Sequence, residues 1–212
     1  MTDTRTQSGF SLIELMVAIL ISSILLLGVL ELFTNTSRTD RTSNELARVQ
    51  ENGRLVMELL SREARRAGYQ GCVAASNTTT DGGVTYPNDA IAGTATSLTF
   101  RYARPTAGGT FPNRDCDNSA LAGYQITFSN CGDNLCVTAP DIGNNQQLVN
   151  NANITNIDFI EPCGAGTCLR AAADADFALT TKLQVTLAVS DAAGEFDQPR
   201  TFTSVIELRN RL

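Results

Sequence analysis

From Leu15 to Leu30 the chain carries no charged side chain, and back to Phe10 the only ionisable group is Glu14. Those 21 residues are long enough, as a helix, to cross a hydrocarbon core about 30 Å thick. A small water-soluble domain has no means of covering such a helix on every side. A carboxylate at the centre of a bilayer costs about 2.5 to 3.5 kcal/mol by insertion scales, so one that is retained marks a functional position. Its natural partner is a positive charge. The bland reading of Glu14 is a side chain near the end of a span that snorkels to the interface.

Immediately before the run stands Ser8-Gly9-Phe10-Ser11-Leu12-Ile13-Glu14-Leu15. A Sec-type signal would be cut behind the apolar run, after small residues. Here the run is followed by Glu31-Leu32-Phe33-Thr34-Asn35-Thr36, which offers no such site. A glycine, a phenylalanine, a glutamate four residues on and then a span: this resembles the class III signal of type IV pilins and pseudopilins. The resemblance implies that a prepilin peptidase cuts between Gly9 and Phe10 on the cytoplasmic side, removing residues 1–9 as a leader. Phe10 then becomes an N-methylated first residue. Glu14 docks on the Phe10 amine of a neighbouring subunit and sets the axial stagger. Residues 10–30 form a membrane-spanning helix that later packs in a filament core.

The helix is expected to continue well beyond the span. No proline occurs before Pro87. Leu46, Val49, Gly53, Val56 and Leu60 recur at helical spacing, and Leu59, Ala64 and Ala67 widen that stripe. Glu58 is spaced to support Arg54 and Arg62, and Glu63 to support Arg66. Gly68 is suited to a left-handed cap. A helix over about Phe10 to Ala67 would be roughly 85 Å long at 1.5 Å per residue. Its first half belongs in a bilayer or among other helices. Its second half, 31–68, should lay its stripe on a globular domain, 69–212. Gly28 is the expected weak point, and Glu31 stands where many major pilins have a proline.

Gln50-Glu51-Asn52-Gly53-Arg54 and Arg65-Arg66-Ala67-Gly68-Tyr69-Gln70-Gly71-Cys72 add a finer resemblance. They are similar to the matching segments of the PilW family of minor type IV pilins, with the likeness good over residues 8–72 and weak beyond. This implies a chain held in the bacterial inner membrane with its N-terminus cytoplasmic and its C-terminal domain periplasmic. It would then join a hetero-oligomeric filament at the cell surface. The implied partners are the prepilin peptidase, inner-membrane lipid, other minor pilins, a major pilin and a tip adhesin. The implied role is priming of pilus assembly, and so twitching motility, adhesion or DNA uptake. The alternative is a pseudopilin of a type II secretion system. Arg54 and Arg65 read either as partner contacts or as ordinary solvated charges.

Beyond the helix the pattern turns to period two. Residues 97–102, 124–128 and 183–189 alternate, 202–208 reads as a final strand, and 135–137 and 154–160 as shorter ones. The polar tracts 76–83 and 141–153 read as loops. The expected fold class is α+β: a pilin-like long N-terminal helix on an antiparallel β-sheet. The six cysteines, Cys72, Cys116, Cys131, Cys136, Cys163 and Cys168, all follow the span and would meet an oxidising compartment. Six allow 15 pairings. Two close pairs, Cys131 with Cys136 and Cys163 with Cys168, each enclose a glycine, and local pairing would leave Cys72 for Cys116. Neither pair has the C-x2-C spacing usual for zinc.

The chain has no histidine, a single lysine and a net charge of −6. The commonest general base and the commonest neutral metal ligand are therefore missing, and no generic nucleic-acid surface is expected. Asp115-Cys116-Asp117-Asn118 lacks the glycine and distal glutamate of a calcium loop. Asp174 and Asp176 read as a solvated turn. Neither Gly82-Gly83 nor Gly108-Gly109 opens a helix as a phosphate cradle must. The expectation is a structural, non-enzymatic subunit with no cofactor, no metal and no direct nucleic-acid contact.

Overall fold

The computed structural model describes residues 9–74 and 76–211 of the 212-residue chain. One helix, α1, runs over Leu12–Arg66. It passes through Gly28 without a break, contrary to the weak point expected there. One glycine costs about 1 kcal/mol relative to alanine in a helix interior, too little to stop it. The chain divides into two compact units, Met1–Asn44 and Glu45–Leu212.

In the first unit the large apolar side chains from Phe10 to Phe33 are all exposed, by 50 to 81 %. Hydroxyls there bond back to the helix: Ser23 donates to the Leu20 carbonyl at 2.8 Å and Thr34 to that of Glu31 at 2.9 Å. Back-bonding removes a free hydroxyl from the helix surface and so lowers the cost of an apolar environment.

The second unit is built on antiparallel sheets. Strands β1 (Thr79–Asp81) and β2 (Val84–Tyr86) form a hairpin whose turn, Gly82-Gly83, has φ of +55° and +82°. Two consecutive left-handed residues match the twist of a tight hairpin. Strands β3 (Ile91–Gly93), β4 (Ser97–Pro105), β5 (Leu121–Cys131), β6 (Asn134–Ala139) and β7 (Gly143–Val149) form a meander in chain order. Strands β8 (Ala152–Cys163), β9 (Gly166–Ala171), β10 (Lys182–Val189) and β11 (Arg200–Glu207) form a second sheet in the order β11-β10-β8-β9. The protein is α+β and pilin-like: a long apolar N-terminal helix, then antiparallel sheets with three disulfides.

Two expected loops hold strands. Residues 141–153 contain β7, and 76–83 contain β1. Strand β7 escapes the alternation test because it is a sheet edge: Asn144, Asn145, Gln146 and Gln147 are all exposed, and backbone pairing with β6 alone defines it. Its ladder is irregular, with Asn145 left-handed at φ +48°.

The core forms where the alternating faces meet the helical stripe. Leu183, Val185, Leu187 and Val189 of β10 are fully buried, as are Leu98, Phe100 and Phe128 of the meander. Val49, Val56, Leu60, Ala64 and Ala67 join the same cluster. Gly53 has a distinct role in that stripe: a Cβ there would stand 2.6 Å from the Phe202 ring of β11. Helix and sheet approach this closely only because position 53 has no side chain.

The disulfides are Cys72–Cys116, Cys131–Cys136 and Cys163–Cys168. The latter two cross hairpins at the Gly132 and Gly164 turns. By chain-entropy scaling, a closure over 44 residues stabilises by about 4 kcal/mol and one over 5 by about 2 kcal/mol. Cys72–Cys116 therefore restrains the unfolded chain most. It also ties the segment after α1 to the long β4–β5 connection.

Glu63 meets Arg66 at the expected i,i+3 spacing, but from a buried position, only 3 % exposed. Tyr102 Oη donates to Glu63 Oε2 at 2.7 Å, while Arg62 and Arg66 reach Glu63 Oε1 at 3.2 and 3.7 Å. Arg62 thus turns to Glu63 rather than to the expected Glu58; Glu58 keeps Arg54 at 3.9 Å. Burial, then the bond to Glu63, pushes the Tyr102 hydroxyl well above the usual tyrosine range.

Gly53→Leu should destabilise the folded chain by about 1 to 3 kcal/mol through overpacking against Phe202, measured as a lower denaturant midpoint. Tyr102→Phe should cost about 1 to 3 kcal/mol, because a buried carboxylate loses its donor. Tyr69 and Tyr124 are pushed up to about 12 by burial and by hydroxyl bonds to Asp115 and Asp141. The folded state therefore holds protons that the unfolded chain releases near pH 10. Stability should be fully present below pH 10 and fall steadily towards pH 12; a flat urea midpoint across that window would contradict these tyrosine environments.

Candidate functional site

The candidate site is the start of α1. Residues 1–8 of the expected leader lie outside the described residues; Gly9 and Phe10 lie just before the first helical turn. Ser11 opens the helix: its carbonyl accepts from the Glu14 amide at 3.1 Å and from the Leu15 amide at 3.2 Å. Glu14 sits in the first turn, where the free backbone N–H groups favour a negative charge. Phe10 is 81 % exposed, and Glu14 is exposed as well.

Gly9 has no steric role among the described residues: a Cβ placed on it would meet nothing within 4 Å. Packing among the described residues therefore gives no reason for a glycine at position 9. The same test at Gly53 gives the opposite answer, so the two glycines are separated by geometry alone.

The remaining sequence candidates fall elsewhere. All six cysteines are in disulfides. Arg54 is exposed and paired with Glu51 at 2.9 Å. Arg65 is exposed, and its guanidinium bonds only to Ser61 among the described residues. Asp115 accepts from Tyr69 and caps its own loop at the Cys116 amide, 2.8 Å away. Among the described residues, no group of three or more His, Cys, Asp or Glu side chains is placed to hold a metal ion. Sequence reasoning missed Asn210. Its amide donates to the Arg65, Arg66 and Ala67 carbonyls at 3.1, 3.3 and 3.3 Å and so caps α1 from the far end of the chain. No local signal could reveal a partner more than 140 residues away.

By length and composition, α1 can cross a membrane. The family model of the prokaryotic N-terminal methylation motif matches residues 4–30. No curated protein and no solved structure matches the chain. The motif match supports a type IV pilin-like chain, a precursor of the pilin or pseudopilin kind, and with the apolar helix it supports membrane anchoring.

If glycine 9 serves a processing enzyme, Gly9→Ala should leave the chain uncut while its denaturant midpoint stays unchanged. Mass spectrometry of the mature N-terminus reads the first outcome; normal trimming of that variant would exclude a role for Gly9 in processing.

Proposed function

We propose that this methylation-motif chain is a minor type IV pilin that primes pilus assembly. The observation that carries the reading is the pairing of a carboxylate with a bare apolar helix. Glu14 stands in the first turn, one turn from Phe10, on a helix whose apolar side chains stay exposed to Phe33. The peptidase cuts between Gly9 and Phe10 and the new amine is N-methylated. The charge on that amine then meets Glu14 of a neighbouring subunit. In a low-dielectric core such a pair is strongly favoured over either charge alone. An unpaired Glu14 is costly there, so docking selects the axial stagger that satisfies it.

Before assembly the helix rests in the inner membrane, with residues 10–30 spanning it. In the filament the same apolar surface packs against other minor pilins and the major pilin. The globular unit, built on sheets and stapled by disulfides, stands in the periplasm and then outside the cell, where a tip adhesin can contact it. The subunit's work is positional, without covalent chemistry of its own. The Gln50–Arg54 and Arg65–Cys72 segments support a pilus over a secretion pseudopilus.

The test is pilus abundance in an in-frame deletion strain, counted by electron microscopy. Pili should be lost or strongly reduced and return with the wild-type copy. Normal pili with a secretion defect would favour the pseudopilin reading. A strain carrying Glu14→Ala should trim the chain normally yet pilate like the deletion; wild-type pilus numbers would remove the docking role from Glu14.

A further inference from the structure

Where α1 ends, the globular unit holds a cleft of 680 Å³ that none of the roles above uses. Four guanidinium groups line it, from Arg65, Arg66, Arg104 and Arg209, in a chain of net charge −6. Two are held in place. Arg66 lies 3.7 Å from the Glu63 carboxylate and 5.9 Å from the centre of the Tyr102 ring. Arg104 donates to Asp141 at 3.0 Å and lies 4.0 Å from the centre of the Tyr124 ring.

The other two are not neutralised by any described residue. Arg65 donates to the Ser61 carbonyl and hydroxyl at 3.3 and 3.2 Å, both neutral acceptors. Neither Arg65 nor Arg209 makes an ion pair among the described residues. Compensation of the helix dipole accounts for Arg65 and Arg66, the last two residues of α1. It does not account for Arg104, which comes from β4, or for Arg209, which comes from the short 3-10 turn Arg209–Arg211. That turn is pinned by the Asn210 cap on α1, so Arg209 is held at the cleft by its neighbour. Gathering like charges from three separate elements costs free energy unless an anion joins them.

Between the charges stand Ala103, Pro105, Asn210 and the Tyr69 and Tyr102 rings. Arg65 and Arg66 also border a smaller depression of 450 Å³ on α1, where Leu55 is 48 % exposed beside Leu59 and where Arg62 and Glu58, the latter paired with Arg54, complete the lining. A point anion would use the guanidinium groups and leave Leu55 and Leu59 idle. A peptide with acidic and apolar residues uses both.

We propose that this cleft binds an acidic peptide segment of a partner protein, with carboxylates on Arg65 and Arg209 and apolar side chains towards Leu55 and Leu59. Planar guanidinium forks match carboxylates in a bidentate manner. The contact belongs to the globular unit and holds whether or not the chain enters a pilus.

The full chain in detergent micelles, titrated into a fluorescein-labelled Glu-Leu-Glu-Glu-Leu-Glu peptide, tests this by anisotropy. Binding should saturate, and Arg65→Gln with Arg209→Gln should weaken it about tenfold, the scale expected for two exposed charge pairs. Arg170→Gln, an exposed arginine on β9, should leave it unchanged. Circular dichroism checks the fold of the double variant; if it is lost, the single Arg209→Gln variant carries the comparison. No saturable binding, wild-type affinity in the folded variant, or displacement by inorganic phosphate at the peptide's own concentration would each overturn the proposal.

Discussion

A helix that leaves its apolar side chains exposed from Phe10 to Phe33 cannot remain so in water. Each large side chain left bare forgoes about 1.5 to 3 kcal/mol of burial. Among the described residues of Met1–Asn44 nothing supplies that burial, because from Leu12 on they are all helix. The cover has to come from lipid or from other helices. That requirement makes the single carboxylate at Glu14 informative, since both environments penalise an unpaired charge.

The C-terminal part of the same helix solves the opposite problem. From Val49 to Ala67 its stripe is buried in a core shared by both large sheets. Packing there is tight enough that Gly53 stands where the Phe202 ring leaves no room for a methyl group. The helix end is then held by polar groups: Glu63 by Tyr102 and two arginines, and the last carbonyls by Asn210. Buried polar groups are tolerated when their partners are in place. This fastening has a consequence at the surface. It holds the end of α1, the β4 strand and the 3-10 turn beside one another, and so brings four arginines to one cleft.

Legibility followed the range of the interactions. The apolar span, the start of the helix and its continuation past residue 60 rest on local periodicity, and the sequence reading reached them. The strong alternation of 183–189 located β10 to within one residue, because both neighbours of that strand bury the same face against the core. Strand β7 is not legible in the sequence, because an edge strand of asparagine and glutamine has no apolar alternation to show. Helical spacing points Arg62 to Glu58, one turn away, whereas Arg62 turns to its chain neighbour Glu63, whose buried carboxylate is the stronger acceptor.

By itself the sequence determined the bare span with its one carboxylate, the Gly9-Phe10 pair ahead of it, the helical stripe and the two hairpins that carry close cysteine pairs. All of these are written in residues a few positions apart, where chain geometry leaves little choice. Tertiary structure alone decided that Glu63 is buried, that Gly53 admits Phe202, that Asn210 caps a helix ending at Arg66, and that Arg104 and Arg209 join Arg65 and Arg66. Those contacts join residues from 38 to more than 140 positions apart. They exist only once sheet register and helix docking have brought distant segments together, and no local spacing encodes that outcome.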